Sequence, residues 1–74
     1  YSGIARFVNK QGPLMHHIAL EVEDLSSMLI NLKTKGLHLL NDVPIDGAGG
    51  KRAIFIHPDS TGGVLLELYE SVPN

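Results

Sequence analysis

Apolar and polar residues alternate along the stretch LMHHIALEVED, close to the beginning of the chain. Such alternation predicts a β-strand, because successive side chains of a strand point to opposite faces of a sheet. We therefore predict a strand over residues 14–22. One face is apolar apart from a single histidine and is expected to belong to the hydrophobic core: Leu14, His16, Ile18, Leu20 and Val22. Its second face contains a histidine and a carboxylate and is poor core material: Met15, His17, Ala19 and Glu21.

A helical spacing of apolar residues follows this strand. Asp24 is a typical N-cap residue and Gly36 is typical of the position just beyond a helix, so we expect a helix that runs to about Lys35. Its apolar stripe consists of Leu25, Met28, Leu29 and Leu32. This stripe gives the helix one face that can pack on a sheet.

Three further strands are predicted, over residues 37–41, 52–57 and 64–69. The glycine-rich segment DVPIDGAGGK is expected to be a loop before the second of them, and PDSTGG a hairpin connection before the third. Residues 1–13 are expected to form a connecting segment with a short helix. The prediction is thus a single α+β unit with the element order βαβββ over residues 14–74.

Composition and charge limit the classes of partner. The chain has 74 residues, no cysteine and a formal net charge of −2. The absence of cysteine excludes disulfides. The mild acidity argues against a nucleic-acid partner, and because no apolar run reaches the length of a membrane span, no membrane partner is expected. A domain of this size buries only about 60% of its unfolded surface, so we expect it to depend on a partner or a metal for stability.

The last predicted strand has an ionisable side chain in the middle of an apolar run, since Glu67 lies between Leu66 and Leu68. If the first and last strands are neighbours, His17 and Glu67 meet on one face, either as two metal ligands or as a hydrogen-bonded acid–base pair. The alternatives are a partly buried structural histidine and a solvated glutamate. His16 points to the other face and is expected to be an orienting or rim residue.

The two remaining histidines have weaker signals. His38 lies in a short apolar strand, and we assign it no function. His57 precedes Pro58, which is more consistent with the end of a strand than with a ligand. The glycine-rich loop at residues 47–50 lacks the spacing of a phosphate-binding loop and is expected to be a flexible hairpin.

Three segments, GPLMHHIALEVEDL, LKTKGLHLLND and PIDGAGGKRAIFIHPDSTGGVLLELYE, resemble the second half of the methylmalonyl-CoA epimerase family in order and spacing. That family is part of the vicinal oxygen chelate superfamily, whose βαβββ modules pair into a curved sheet around a metal-containing cleft. The resemblance implies that this chain is one glyoxalase-like module. It implies that His17 and Glu67 are metal ligands and that Glu67 is also a catalytic acid–base group.

The resemblance also implies a reaction. The chain would be the half-site of an epimerase that interconverts the 2-epimers of methylmalonyl-CoA by α-proton transfer through a metal-stabilised enolate. The implied substrate is a coenzyme A thioester, and the implied cofactor is a divalent metal ion of the cobalt type. A first module or a second copy of the chain would supply the remaining ligands. The expected location is the cytoplasm, or the mitochondrial matrix in a eukaryote. The alternative is a stand-alone single-module protein that binds a small molecule as a dimer without catalysis.

Overall fold

The computed structural model describes residues 16–46 and 48–71. One helix and four strands form this part of the chain: β1 (His16–Glu21), α1 (Leu25–Thr34), β2 (Ile45–Asp46), β3 (Lys51–Ile56) and β4 (Val64–Ser71). Two short 3₁₀ turns, Ala48–Gly50 and Pro58–Ser60, precede β3 and β4. The predicted connecting segment at residues 1–13 lies outside the described residues. The described helix is neither long nor apolar enough to cross a membrane.

The four strands form one sheet with the order β1-β4-β3-β2. β1 is parallel to β4, whereas β3 is antiparallel to β4 and to β2. The α+β class and the βαβββ order are confirmed, and so is the hairpin connection between β3 and β4. The first and last strands are therefore neighbours, which is the condition under which the sequence brings His17 and Glu67 together.

Helix α1 packs on one face of the sheet and forms the core with it. The buried side chains of this core are Leu25, Leu29, Leu32, Ile54, Ile56 and Leu68. They come from the predicted apolar stripe of the helix and from the faces of β3 and β4 that point to it. Leu25 and Ile54 are completely buried. The alternation of the sequence therefore determines which face of β3 and β4 the helix covers.

Carboxylates accept hydrogen bonds from the first turn of α1, and a glycine follows its last turn. The Asp24 carboxylate accepts hydrogen bonds from the Ser27 amide (3.1 Å) and hydroxyl (2.8 Å), which lower the pKa of Asp24. The Leu25 amide donates to Glu70 of β4 at 3.0 Å, so the sheet also satisfies the first turn of the helix. Gly36 follows the helix with a φ of 75°, a conformation that favours glycine.

The prediction of a strand over residues 37–41 is wrong. This segment forms only one isolated bridge, between Leu39 and Ile56, whereas β2 lies in the predicted loop. The reason is the Asn41 side chain, which is 5% exposed and takes the place of a neighbouring strand. Its Oδ1 accepts from the Phe55 amide at 2.8 Å, and its Nδ2 donates to the Ala53 carbonyl at 3.0 Å. Between the backbone contacts of residues 38–40 and those of β2, the Asn41 side chain thus forms the hydrogen bonds of the outer edge of β3.

The expectation that the first face of β1 belongs to the core is also wrong. Ile18 and Leu20 point to the side of the sheet on which α1 lies, but they are 48% and 50% exposed. The helix packs over β3 and β4, and β1 lies beyond it at the edge of the sheet. Only Val22, just after β1, packs against the core.

Candidate active site

The candidate site lies on the face of the sheet opposite α1, which we call the distal face. The register of the strands gives its members: His17, Ala19 and Glu21 of β1; Leu65, Glu67 and Tyr69 of β4; Lys51, Ala53 and Phe55 of β3. Because these residues alternate with the core residues, the same sequence pattern that builds the core also builds the distal face.

The central contact of the distal face is between His17 and Glu67. The Nε2 atom of His17 lies 3.1 Å from the Oε1 atom of Glu67, within hydrogen-bond distance. The His17 side chain is 46% exposed and that of Glu67 is 22% exposed. Phe55 of β3 pairs with Glu67, and its ring centroid lies 6.3 Å from that of His17. Glu67 therefore lies on the strand between the imidazole and the phenyl ring.

The His17–Glu67 pair has the chemistry of two metal ligands. An imidazole nitrogen and a carboxylate oxygen are both common donors to divalent transition metals. Donors about 2.1 Å from one ion lie roughly 3.0 Å apart in an octahedral shell and roughly 3.4 Å apart in a tetrahedral one. The observed distance of 3.1 Å fits within this range. Two donors leave most of a coordination shell to be filled by other groups.

Other polar residues of the distal face have partners of their own. Glu21 accepts a hydrogen bond from the Ser71 hydroxyl at 3.0 Å. The Lys51 ammonium lies 4.6 Å from the centroid of the Tyr69 ring, a cation–π contact. Both contacts lie beyond Glu67, toward the C-terminal end of β4, so this end of the distal face is polar.

His16 occupies the opposite face from His17, as strand parity requires. On the helix side of the sheet, Arg52 pairs with Glu70 at 2.7 Å. This hydrogen bond, together with that from the Leu25 amide, holds the pKa of Glu70 below its ordinary value. Arg52 is therefore engaged in the fold and is not a member of the distal face.

The structure also brings together three residues for which no joint role was predicted. His38, His57 and Asp59 form a cluster at the end of β3, beside the segment that bridges to its outer edge. The adjacency of His57 and Asp59 was visible in the motif HPDS, but nothing in the sequence placed His38 beside them. Only the pairing of the segment before β2 with β3 creates the cluster.

The chain is similar in sequence and fold to proteins of known function. No protein-family model matches the chain. The chain is 43% identical over 72 residues to the mitochondrial methylmalonyl-CoA epimerase of Homo sapiens, with 95% of this chain and 40% of that protein covered. It is 41% identical over 69 residues to an ethylmalonyl-CoA/methylmalonyl-CoA epimerase of Cereibacter sphaeroides, with 90% of this chain and 52% of that protein covered.

Comparison with solved structures finds the same kind of enzyme. The methylmalonyl-CoA epimerase of Mycobacterium tuberculosis superposes with a TM-score of 0.75 at 40% identity, with 95% of this chain and 47% of that chain covered. The chain belongs to the methylmalonyl-CoA epimerase family. A family member in complex with methylmalonyl-CoA and ammonium superposes with a TM-score of 0.77 at 34% identity, with 95% of this chain and 49% of that chain covered. The chain spans about half the length, or less, of the family members it matches.

Proposed function

We propose that this chain is one half of a metal-dependent epimerase that inverts carbon 2 of methylmalonyl-CoA. Membership of the epimerase family supports this proposal, because relatives that cover nearly the whole chain bear that name. The observation that carries it is the His17–Glu67 pair, whose donor atoms lie 3.1 Å apart on the distal face. These two side chains offer the nitrogen and oxygen donors that such a reaction needs.

We assign to His17 and Glu67 the role of ligands for a divalent metal ion of the cobalt type. When bound, such an ion supplies Lewis-acid polarisation of the thioester and carboxylate oxygens of the substrate. Both residues lie on hydrogen-bonded strands, which fixes their relative position. Rigid placement matters because a displacement of about 1 Å can reduce a rate roughly a hundredfold.

Glu67 also has the right chemistry for proton transfer. Its Oε1 atom faces His17, and its second oxygen is available to accept the proton on carbon 2 of the substrate. A carboxylate that is partly shielded, but not sealed from solvent, can exchange that proton with water. Inversion needs a second acid–base group on the opposite side of the substrate. We propose that this group, like the remaining ligands, comes from another module of the same protein or from a second copy of the chain.

The proposal includes the cellular setting. The substrate class is a coenzyme A thioester, as in the complex of a family member with methylmalonyl-CoA. We propose a cytoplasmic location, or the mitochondrial matrix if the source is a eukaryote, since the mammalian relatives are named as mitochondrial.

The decisive experiment replaces Glu67 by Gln in the full-length protein and follows deuterium incorporation from heavy water into methylmalonyl-CoA. The matched control is Glu21→Gln, a carboxylate of the same face on the neighbouring strand. Metal content after dialysis is measured in parallel. We expect Glu67→Gln to weaken metal binding about tenfold or more. At saturating metal, we expect the variant to exchange deuterium about a hundredfold more slowly than the wild type.

The possible results separate the two roles of Glu67. If saturating metal restores wild-type exchange to Glu67→Gln, Glu67 is a ligand only. If Glu67→Gln keeps the metal affinity of the wild type, the ligand role is rejected as well. A wild-type protein that binds methylmalonyl-CoA but incorporates no deuterium would reject the epimerase proposal and favour a binding protein without catalysis.

A further inference from the structure

The cluster of His38, His57 and Asp59, which we call the histidine–aspartate cluster, lies outside the candidate active site. His57 directly follows β3, and β4 lies between β3 and the strand that contains His17. Neighbouring strands lie about 4.8 Å apart, so the cluster is roughly 10 Å or more from the imidazole of His17. One ion cannot contact both places.

The side-chain donors of the cluster lie close together. Asp59 Oδ2 and Oδ1 lie 2.9 Å and 3.1 Å from the Nδ1 atom of His38. Asp59 Oδ1 is also 3.1 Å from the Nδ1 atom of His57. The two imidazole rings stack at 4.3 Å between centroids, with 8° between their planes. One donor atom from each of the three residues lies within 4.8 Å of the other two.

Backbone hydrogen bonds hold the three residues in place. The His57 amide donates to the His38 carbonyl at 2.8 Å, and the His38 amide donates to the Ser60 hydroxyl at 2.9 Å. The Asp59 amide donates to Nδ1 of His57 at 3.0 Å, at the beginning of the 3₁₀ turn that follows β3. The donors therefore belong to two chain segments whose relative position is already fixed. A ligand that binds them does not have to order the backbone first.

We propose that the histidine–aspartate cluster is a second metal site that binds a divalent transition-metal ion such as Zn²⁺. Two imidazoles and one carboxylate form a three-ligand set that is common for zinc in proteins, with water in the fourth position. Nδ1 of His57 accepts a hydrogen bond from the Asp59 amide and the two rings are stacked, so binding of the ion requires the imidazoles to turn toward a common point. The partial exposure of the three side chains leaves room for the water and a route for the ion.

Binding of Zn²⁺ to the metal-free full-length protein, followed by titration calorimetry, tests this site. Two variants remove a ligand with little change of shape. Asp59→Asn keeps the size of the side chain, and His57→Asn keeps a side-chain acceptor at the N-cap of the 3₁₀ turn. His16→Ala is the control, an exposed histidine outside both clusters. We expect each ligand variant to lose one equivalent of Zn²⁺ or to bind it at least tenfold more weakly, and the control to keep the same number of equivalents as the wild type.

Ring-nitrogen NMR distinguishes coordination from a hydrogen-bonded cluster. On addition of Zn²⁺ we expect one ring nitrogen of His38 and one of His57 to shift together, at the same metal equivalent, in wild type and in His17→Ala. Because His17→Ala removes a proposed ligand of the active site, this result is independent of the proposed function. If the signals of His38 and His57 do not move while Zn²⁺ binds elsewhere, or if Asp59→Asn binds as many equivalents as the wild type with the same affinity, the cluster is a structural hydrogen-bonded unit and the proposal is overturned.

Discussion

His17 and Glu67 are 50 positions apart in the sequence, and their side chains meet at 3.1 Å. The contact follows from the parallel pairing of β1 and β4, in which Leu65 lies opposite His17 and Glu67 lies opposite Ala19. Glu67 is two residues beyond Leu65, so it returns to the same face and lies diagonal to His17. The function that we propose depends on this register, because a slip by one residue would send Glu67 to the helix side.

The two adjacent histidines of β1 give the first prediction. His17→Ala should lower metal affinity of the full-length protein at least tenfold, because it removes a ligand of the proposed site. His16→Ala should weaken binding only slightly, because His16 points to the other face. Metal content after dialysis, measured for both variants, checks this expectation. An equal loss from both substitutions would show that the assignment of faces is wrong.

The second prediction concerns Asn41 and the outer edge of β3. Asn41→Ala removes the partners of the Phe55 amide and the Ala53 carbonyl. We expect the free energy of unfolding to fall by about 2 kcal/mol or more, since buried polar groups lose their hydrogen bonds. Asn31→Ala, at an exposed position of α1, should change it by no more than about 0.5 kcal/mol. Urea denaturation of both variants makes the comparison. Similar effects would mean that Asn41 does not replace a strand at this edge.

The third prediction concerns the acid sensitivity of the fold. Arg52 first, and then the Leu25 amide, favour ionised Glu70 and lower its pKa. In the unfolded chain the pKa returns to about 4.3, so below that pH the unfolded state binds more protons than the folded state. The stabilisation by Glu70 is thus fully present above about pH 4.3 and is lost as the pH falls through the lowered pKa.

Glu70→Gln should therefore be less stable than the wild type at neutral pH and should lose less stability on acidification. Urea unfolding midpoints between about pH 3 and pH 6 measure both effects. Glu23→Gln, an exposed carboxylate in the loop between β1 and α1, serves as the control and should keep the steeper acid dependence of the wild type. A parallel pH profile for Glu70→Gln and wild type would contradict the assignment.

The fourth prediction concerns assembly. Ile18 and Leu20 are half-exposed, and β1 is an edge strand of the described sheet. Edge strands with apolar residues tend to pair with further strands. We expect the isolated 74-residue chain not to be a stable monomer but to pair by dimerisation or strand exchange. Light scattering after gel filtration gives the mass, and a single 8.0 kDa species that unfolds cooperatively would contradict this prediction.

Much of the fold was predictable because local patterns specify it. Asp24 and Gly36 delimit α1, and the apolar stripe of Leu25, Leu29 and Leu32 gives the buried face. Strand alternation predicted that His17 and Glu67 share a face if the first and last strands are neighbours, as they are. These features depend on the spacing of apolar and capping residues along the chain, which can be determined from the sequence alone. Strand parity alone also places His17 and His16 on opposite faces of the sheet.

Other features were decided by the tertiary structure alone. The sequence near residues 37–41 is strand-like, yet it forms one isolated bridge, and the Asn41 side chain bonds to β3 between that bridge and β2. The apolar face of β1 is half-exposed because α1 packs over β3 and β4. The histidine–aspartate cluster depends on His38 reaching the end of β3 from a distant segment. Each of these outcomes depends on which segments of the chain become neighbours. The packing of the whole domain determines these neighbours, so a local pattern of residues does not predict them.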